Sequence, residues 1–173
     1  MRKFLGLLLV SLVIWSCQSE SRKPLPESIR QMQLITPQGK EIQTQLVFTD
    51  VDQEQGLSGV KPKDFSDDQG MLFFYREEGM KGFWMPDTYF DLDLFYLDNN
   101  LKIIDVIRKL PHYIGRHNPE LIPKARSVWS RHVLEMKATS PISQELQVGD
   151  VLKWQGRFSM EETGQKIRDY SPN

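Results

Sequence analysis

Hydrophobic and polar positions divide the chain into distinct regimes. Residues 4–15 are apolar, broken only by Gly6 and Ser11. Residues 18–28 are polar, with Pro24 and Pro26 among them. Residues 29–155 alternate short apolar runs with turn residues. Residues 156–173 are polar again, with Ile167 as apolar anchor, and read as a loose tail. The central regime predicts mostly strands. Residues 32–36, the turn Pro37-Gln38-Gly39-Lys40 and residues 41–48 form a hairpin, with Ile42, Thr44, Leu46 and Phe48 alternating against Gln43, Gln45 and Val47. Thr49 caps a short helix with Asp52 three residues on, and Gly56 ends it. Further strands are predicted at 70–75, 83–85, 92–97, 101–107, 127–136 and 151–154, with a two-residue turn at Asn99-Asn100. A helical turn is expected at 141–146. The class is therefore mainly β, a small single-domain sandwich or barrel-like fold with one or two short helices. Residues 109–126 make a long Pro-punctuated connection, which in a small domain is functional or disordered.

The N-terminal pattern bears on location. Arg2 and Lys3 followed by twelve apolar-rich residues read as a secretory signal peptide. The run is short of the about 20 residues that span a bilayer. Val13-Ile14-Trp15-Ser16-Cys17 resembles a bacterial lipobox, and Cys17 is the only cysteine of the 173 residues. The expected organisation is a signal peptide at 1–16, lipidated Cys17 with a polar tether at 17–28, a domain at 29–155 and the tail at 156–173. Acyl chains on Cys17 would anchor the protein firmly, each buried CH₂ adding roughly 0.8 kcal/mol. Gln18 after the cysteine resembles the outer-membrane side of the enterobacterial sorting rule. The expectation is an exported, periplasm-facing protein whose first partner is the membrane.

Charge removes one class of partner. There are 22 basic and 23 acidic residues; losing 1–16 takes Arg2 and Lys3 and leaves 20 against 23. That balance lacks the basic footprint of a nucleic-acid binder. Arg108, Lys109, Arg116, Lys124, Arg126 and Arg131 would form a basic patch only if the fold gathers them.

Several local motifs fall in a familiar order. Gln55-Gly56-Leu57-Ser58-Gly59, Gly70-Met71-Leu72-Phe73-Phe74, Phe83-Trp84-Met85-Pro86-Asp87-Thr88, Leu92-Asp93-Leu94-Phe95-Tyr96-Leu97-Asp98, Val133-Leu134-Glu135-Met136 and Val148-Gly149-Asp150 together resemble the DUF192 family, also called UPF0127, over about residues 45–154. Pro86 and Asp87 stand where that family usually has Lys-Asn, and Asp91 where it often has proline. The resemblance implies a small, mainly β domain and supplies no established activity.

The candidate chemistry is sparse. A ligand site is expected around Trp84, Met85, Asp87, Thr88, Asp93 and Glu135, with Asp93 as polar anchor and Trp84 as a wall. The competing reading has Asp87 and Asp93 locking turns by accepting backbone N–H bonds. His112 and His117 are five apart in a loop and lack the helical i, i+4 spacing of a zinc hydrolase, so no metal site is expected. No Gly-x-Ser-x-Gly elbow occurs, and no cofactor or catalytic residue is assigned. The leading expectation is an envelope lipoprotein acting as a non-catalytic binding or interaction module, with an envelope component or a protein as further partner. The alternative is a hydrolase of an envelope polymer using Asp91 or Asp93.

Overall fold

The computed structural model describes residues 27–170. The expected signal peptide and Cys17 lie outside the described residues, as does most of the 17–28 tether. After a 3-10 turn at Glu27–Ile29 come β1 (Gln31–Ile35), β2 (Glu41–Val47), α1 (Asp50–Gln55), a 3-10 turn at Pro62–Asp64, β3 (Gln69–Lys81), β4 (Leu92–Leu97), β5 (Ile103–Leu110), β6 (Val128–Lys137), α2 (Pro141–Glu145), β7 (Lys153–Gln155) and α3 (Met160–Tyr170). No helix among the described residues is long and apolar enough to cross a membrane.

The strands form one mixed sheet in the order β5-β4-β6-β3-β2-β1-β7. Among the described strands only β2 and β3 pair in parallel, with α1 and the 56–68 segment as their crossover. The two edges then meet. Lys102 and Val151 form a bridge, the Ile103 N–H donates to the Asp150 carbonyl at 2.8 Å, and the Leu152 N–H donates to the Leu101 carbonyl at 3.1 Å. This closure pairs, at one end of the two edges, backbone N–H and C=O groups that an open sheet would leave unpaired. The fold is mainly β, one domain and barrel-like.

Side-chain parity sorts the core into two clusters. Leu34, Ile42, Leu46, Leu72, Phe95, Leu97, Ile103 and Leu134 fill the inner face. Met71, Phe73, Leu94, Tyr96 and Val133 point outward and are covered by Leu57, Phe65 and Met85 from the connecting loops. All six residues of β4 are buried, as a strand apolar on both faces requires. Gly70 sits inside the barrel, where a Cβ would come 2.8 Å from Leu134 Cδ1 and 3.0 Å from Ile42 Cγ2.

Local signals explain the short elements. Thr49 caps α1 by accepting from the Asp52 N–H, and Ser140 caps α2 by accepting from the Ser143 N–H. The turn after β4 is wider than two residues. Asp98 Oδ1 accepts from the N–H groups of Asn100 (2.8 Å) and Lys102 (2.9 Å), and Leu101 takes φ 58° to bury its side chain. The predicted 83–85 strand is reduced to a single bridge between Trp84 and Lys124.

The tail departs most from expectation. Its residues 160–170 form a third helix, α3, rather than a loose segment. Ser159 and Glu162 make a reciprocal capping box, with the Glu162 N–H donating to Ser159 Oγ and the Ser159 N–H donating to Glu162 Oε2. Ile167 is buried and, with Met160 and Tyr170, packs against the inner cluster. Few apolar residues suffice because only one narrow stripe of this helix is covered.

Candidate functional site

Glu135 is the chemical centre of the outer face. On β6, His132, Leu134 and Met136 point inward, so Val133 and Glu135 point outward. Glu135 is in register with Met71 on β3 and Leu94 on β4, so its flanking neighbours are apolar. It is 4% exposed. Its carboxyl makes no hydrogen bond and no ion pair to the described residues. Burial without a partner disfavours the charged form, and pushes its pKa up to about 8.

A pocket of about 110 Å³ opens above this carboxyl. Phe73, Tyr75, Phe83, Trp84, Met85 and Leu92 wall it, the buried Ser58 and Thr88 complete the lining, and Gln53, Glu54 and Gln55 of α1 lie at its rim. Phe83 stands edge-on to Phe73, with centroids 4.8 Å apart at 89°, and to Tyr96 at 6.4 Å. The Tyr96 hydroxyl donates to the Arg126 carbonyl at 3.2 Å. Both phenols are pushed up by burial and by the nearby Glu135, Tyr96 to about 12.

Two segments hold the walls. The 83–88 stretch is pinned to the long connection by hydrogen bonds. The Met85 N–H donates to the Pro123 carbonyl, the Ala125 N–H to Phe83, the Asp87 N–H to Gly115 and the Thr88 N–H to Tyr113. On its other side, Ser58 Oγ donates to the Pro86 carbonyl at 2.6 Å and the Gly59 N–H to the Asp87 carbonyl at 2.8 Å. The long connection at 109–126 is thus ordered scaffolding for the pocket wall. At the end of α1, Gly56 lies so close to the Phe73 ring that a Cβ would sit 3.2 Å from Cζ, and its φ of +47° also favours glycine.

Of the six residues expected to form the site, the structure brings Trp84, Met85, Thr88 and Glu135 together at the pocket. Trp84 is 45% exposed and reachable. Asp87 is not in the lining. It takes φ 53°, a conformation short Asp side chains tolerate, and serves through its backbone. Asp93 lies on the other face of the sheet. It is 1% exposed, and its carboxylate accepts from Arg108 Nη1 (2.7 Å), Ser143 Oγ (2.6 Å) and the Lys109 N–H (2.8 Å). Arg108 also donates to the carbonyls of Ser143 and Leu146. Asp93 therefore fastens α2 to β4 and β5 and does not line the pocket. Reading motif order alone missed Tyr75, Phe83 and the α1 residues. The signal for them was the apolar run after Gly70 and the helix ending at Gly56, both placed above Glu135 by the fold.

Other candidates disperse. Asp91 Oδ1 accepts from the backbone and ring of His112, at 2.9 and 2.6 Å, and does not share a cleft with Asp93. The two carboxyls do not flank one reacting bond, as glycoside hydrolysis requires. No group of three or more His, Cys, Asp or Glu among the described residues could hold a metal ion. Within the basic stretch, Arg108 is paired with Asp93 and Arg126 with Asp105.

The chain belongs to the DUF192 family: the family model, described as "Uncharacterized ACR", matches residues 33–154. Among solved structures, it is similar to a candidate transcription regulator from Sinorhizobium meliloti 1021. They are 24% identical with a TM-score of 0.54, over 72% of this chain and 92% of that one. It is also similar to a protein of unknown function from Novosphingobium aromaticivorans DSM 12444, at 20% identity and a TM-score of 0.57, over 72% and 84% of the respective chains. At these identities the likeness concerns the fold. No curated protein matches the chain.

Proposed function

We propose that this DUF192 member is a non-catalytic binding module displayed at the cell envelope, and that its site is the pocket above Glu135. One observation carries the binding reading: a carboxyl buried among apolar residues at the floor of an open pocket, without a hydrogen-bond partner among the described residues. A buried unpaired acid costs stability, and folds rarely keep one without a use. Five of the family-like motifs, those holding Gly56, Phe73, Trp84, Leu92 and Glu135, converge on this pocket. A single carboxyl with no second acid, base or nucleophile at the floor of the pocket suits holding a ligand better than cleaving one.

The envelope part of the proposal rests on the sequence, on the apolar 4–15 run and Cys17 behind it. Its test is fractionation of cells carrying Cys17→Ser: the variant leaves the membrane pellet, and an unchanged distribution would refute the anchor. The binding part is tested by thermal shift of the full chain in non-ionic detergent against envelope fragments and small metabolites. A ligand at a hundredfold excess over its Kd adds about 2.7 kcal/mol of stability. The expected hit disappears in Glu135→Gln; a flat panel would count against a small-ligand site.

A further inference from the structure

Given the binding reading, on which this step rests, the lining of the pocket specifies what it takes. The charged side chains that line it are Glu54 at the rim and Glu135 at the floor; lysine, arginine and histidine are missing from that lining. Much of the wall is aromatic, from Phe73, Tyr75, Phe83 and Trp84. Aromatic faces present negative potential and attract cations. An anion entering here would meet a buried acid with nothing to offset it. A purely apolar guest would leave the carboxyl unsatisfied. A cation meets both needs, because it pairs with the carboxylate and lies against the rings. The protein already uses such rings this way. Lys81 Nζ sits 3.9 Å from the centre of the Tyr75 ring, and Lys61 Nζ 3.2 Å from that of Tyr89. We infer that the pocket receives an organic ammonium head group, with Glu135 as its counter-ion and the Trp84 and Phe83 rings as its walls.

The pairing couples binding to a proton. Glu135 is held protonated at neutral pH by burial, so an arriving ammonium group displaces that proton to solvent. The titratable groups facing Glu135 are Tyr75 from β3, Tyr96 from β4 and Glu54 from α1; the 82–88 segment brings none into the pocket. Both phenols are raised by burial and keep their protons well above neutral pH. Choline is a suitable probe, because its charge is permanent and the pH dependence then belongs to the protein.

The experiment is isothermal titration calorimetry on the full chain in non-ionic detergent, with choline and its neutral isostere 3,3-dimethyl-1-butanol. A pKa near 8 leaves about a tenth of Glu135 ionised at pH 7 and about nine tenths at pH 9, so choline affinity rises about tenfold over that interval. Comparing buffers of different ionisation heat at pH 7 shows release of close to one proton per choline bound. The isostere binds at least about tenfold more weakly at pH 9. Glu135→Gln loses choline and keeps the isostere. Trp84→Ala, at a half-exposed position, weakens choline several-fold and keeps the pH profile. Equal affinity for both probes without proton release overturns the ammonium assignment and leaves the binding reading standing. Silence from both overturns the assignment too, and the binding reading then rests on the wider thermal-shift panel.

Discussion

Asp93 and Glu135 sit one register step apart on neighbouring strands, yet on opposite faces of the sheet. Asp93 pairs with Met136, and Glu135 pairs with Leu94. Asp93 accepts three hydrogen bonds from α2 and β5, and Glu135 accepts none from the described residues. Two carboxyls that look alike in the sequence therefore carry opposite duties: one holds the fold together, and the other is held open.

Glu135 makes stability depend on pH. Its folded pKa of about 8 lies above the unfolded value of 4.5, so the folded state holds the proton more tightly. Its contribution is fully present below about pH 4.5, declines as pH rises and is gone above about pH 8. Glu135→Gln removes this decline. By about pH 9 the variant should be more stable than the wild type by on the order of 5 kcal/mol. Urea melts of both proteins across pH 5 to 9 check this, and parallel pH profiles would refute it.

Asp93→Ala should act on the fold alone. Removing it takes the counter-ion from the partly exposed Arg108, which keeps only carbonyl acceptors, and strands the Ser143 hydroxyl. The expected loss is about 3 kcal/mol. Whatever binds at the Glu135 pocket should bind the folded variant with unchanged affinity. A selective loss of binding without loss of stability would return Asp93 to the ligand site.

Helix α3 is bound to the barrel through Ile167. Ile167→Ala should cost about 2–4 kcal/mol, because the cavity opens against Phe74 and the inner cluster. A melting temperature within error of the wild type would mean that the helix contributes no packing.

Gly70 admits no side chain without movement. In Gly70→Ala the new Cβ displaces Leu134 and Ile42 in the barrel interior, at an expected cost of about 1–3 kcal/mol. Denaturant midpoints measure it directly. Trimming Leu134 to Val in the same chain should recover part of the loss, since its Cδ1 is the nearest atom.

Much of the architecture was legible in the chain because it is written in local periodicity. Alternation through Ile42, Thr44 and Leu46 sets which side of β2 is inward. Thr49 with Asp52, and Ser140 ahead of Pro141, mark helix starts through side-chain caps that need no tertiary partner. The Ser159–Glu162 box was a signal of the same local kind at the start of α3, outweighed by the polarity of residues 161–170. The continuous apolar run of β4 announced a strand covered on both faces.

The sequence by itself determined most of the strands and the first two helices, the membership of DUF192 and the short list of residues from which a site could be made. It could not decide between Asp93 and Glu135. Parity along a strand says that two residues face opposite ways, but not which face is sealed. That is settled by segments far away in the chain. Ser143 and Leu146, some fifty residues on, close over Asp93 together with Arg108. The 83–88 stretch and α1 arch over Glu135 and leave a gap. Whether a buried acid is partnered depends on which polar atoms arrive within about 3 Å of it. Only the closed barrel brings those atoms to one carboxyl and keeps them from the other.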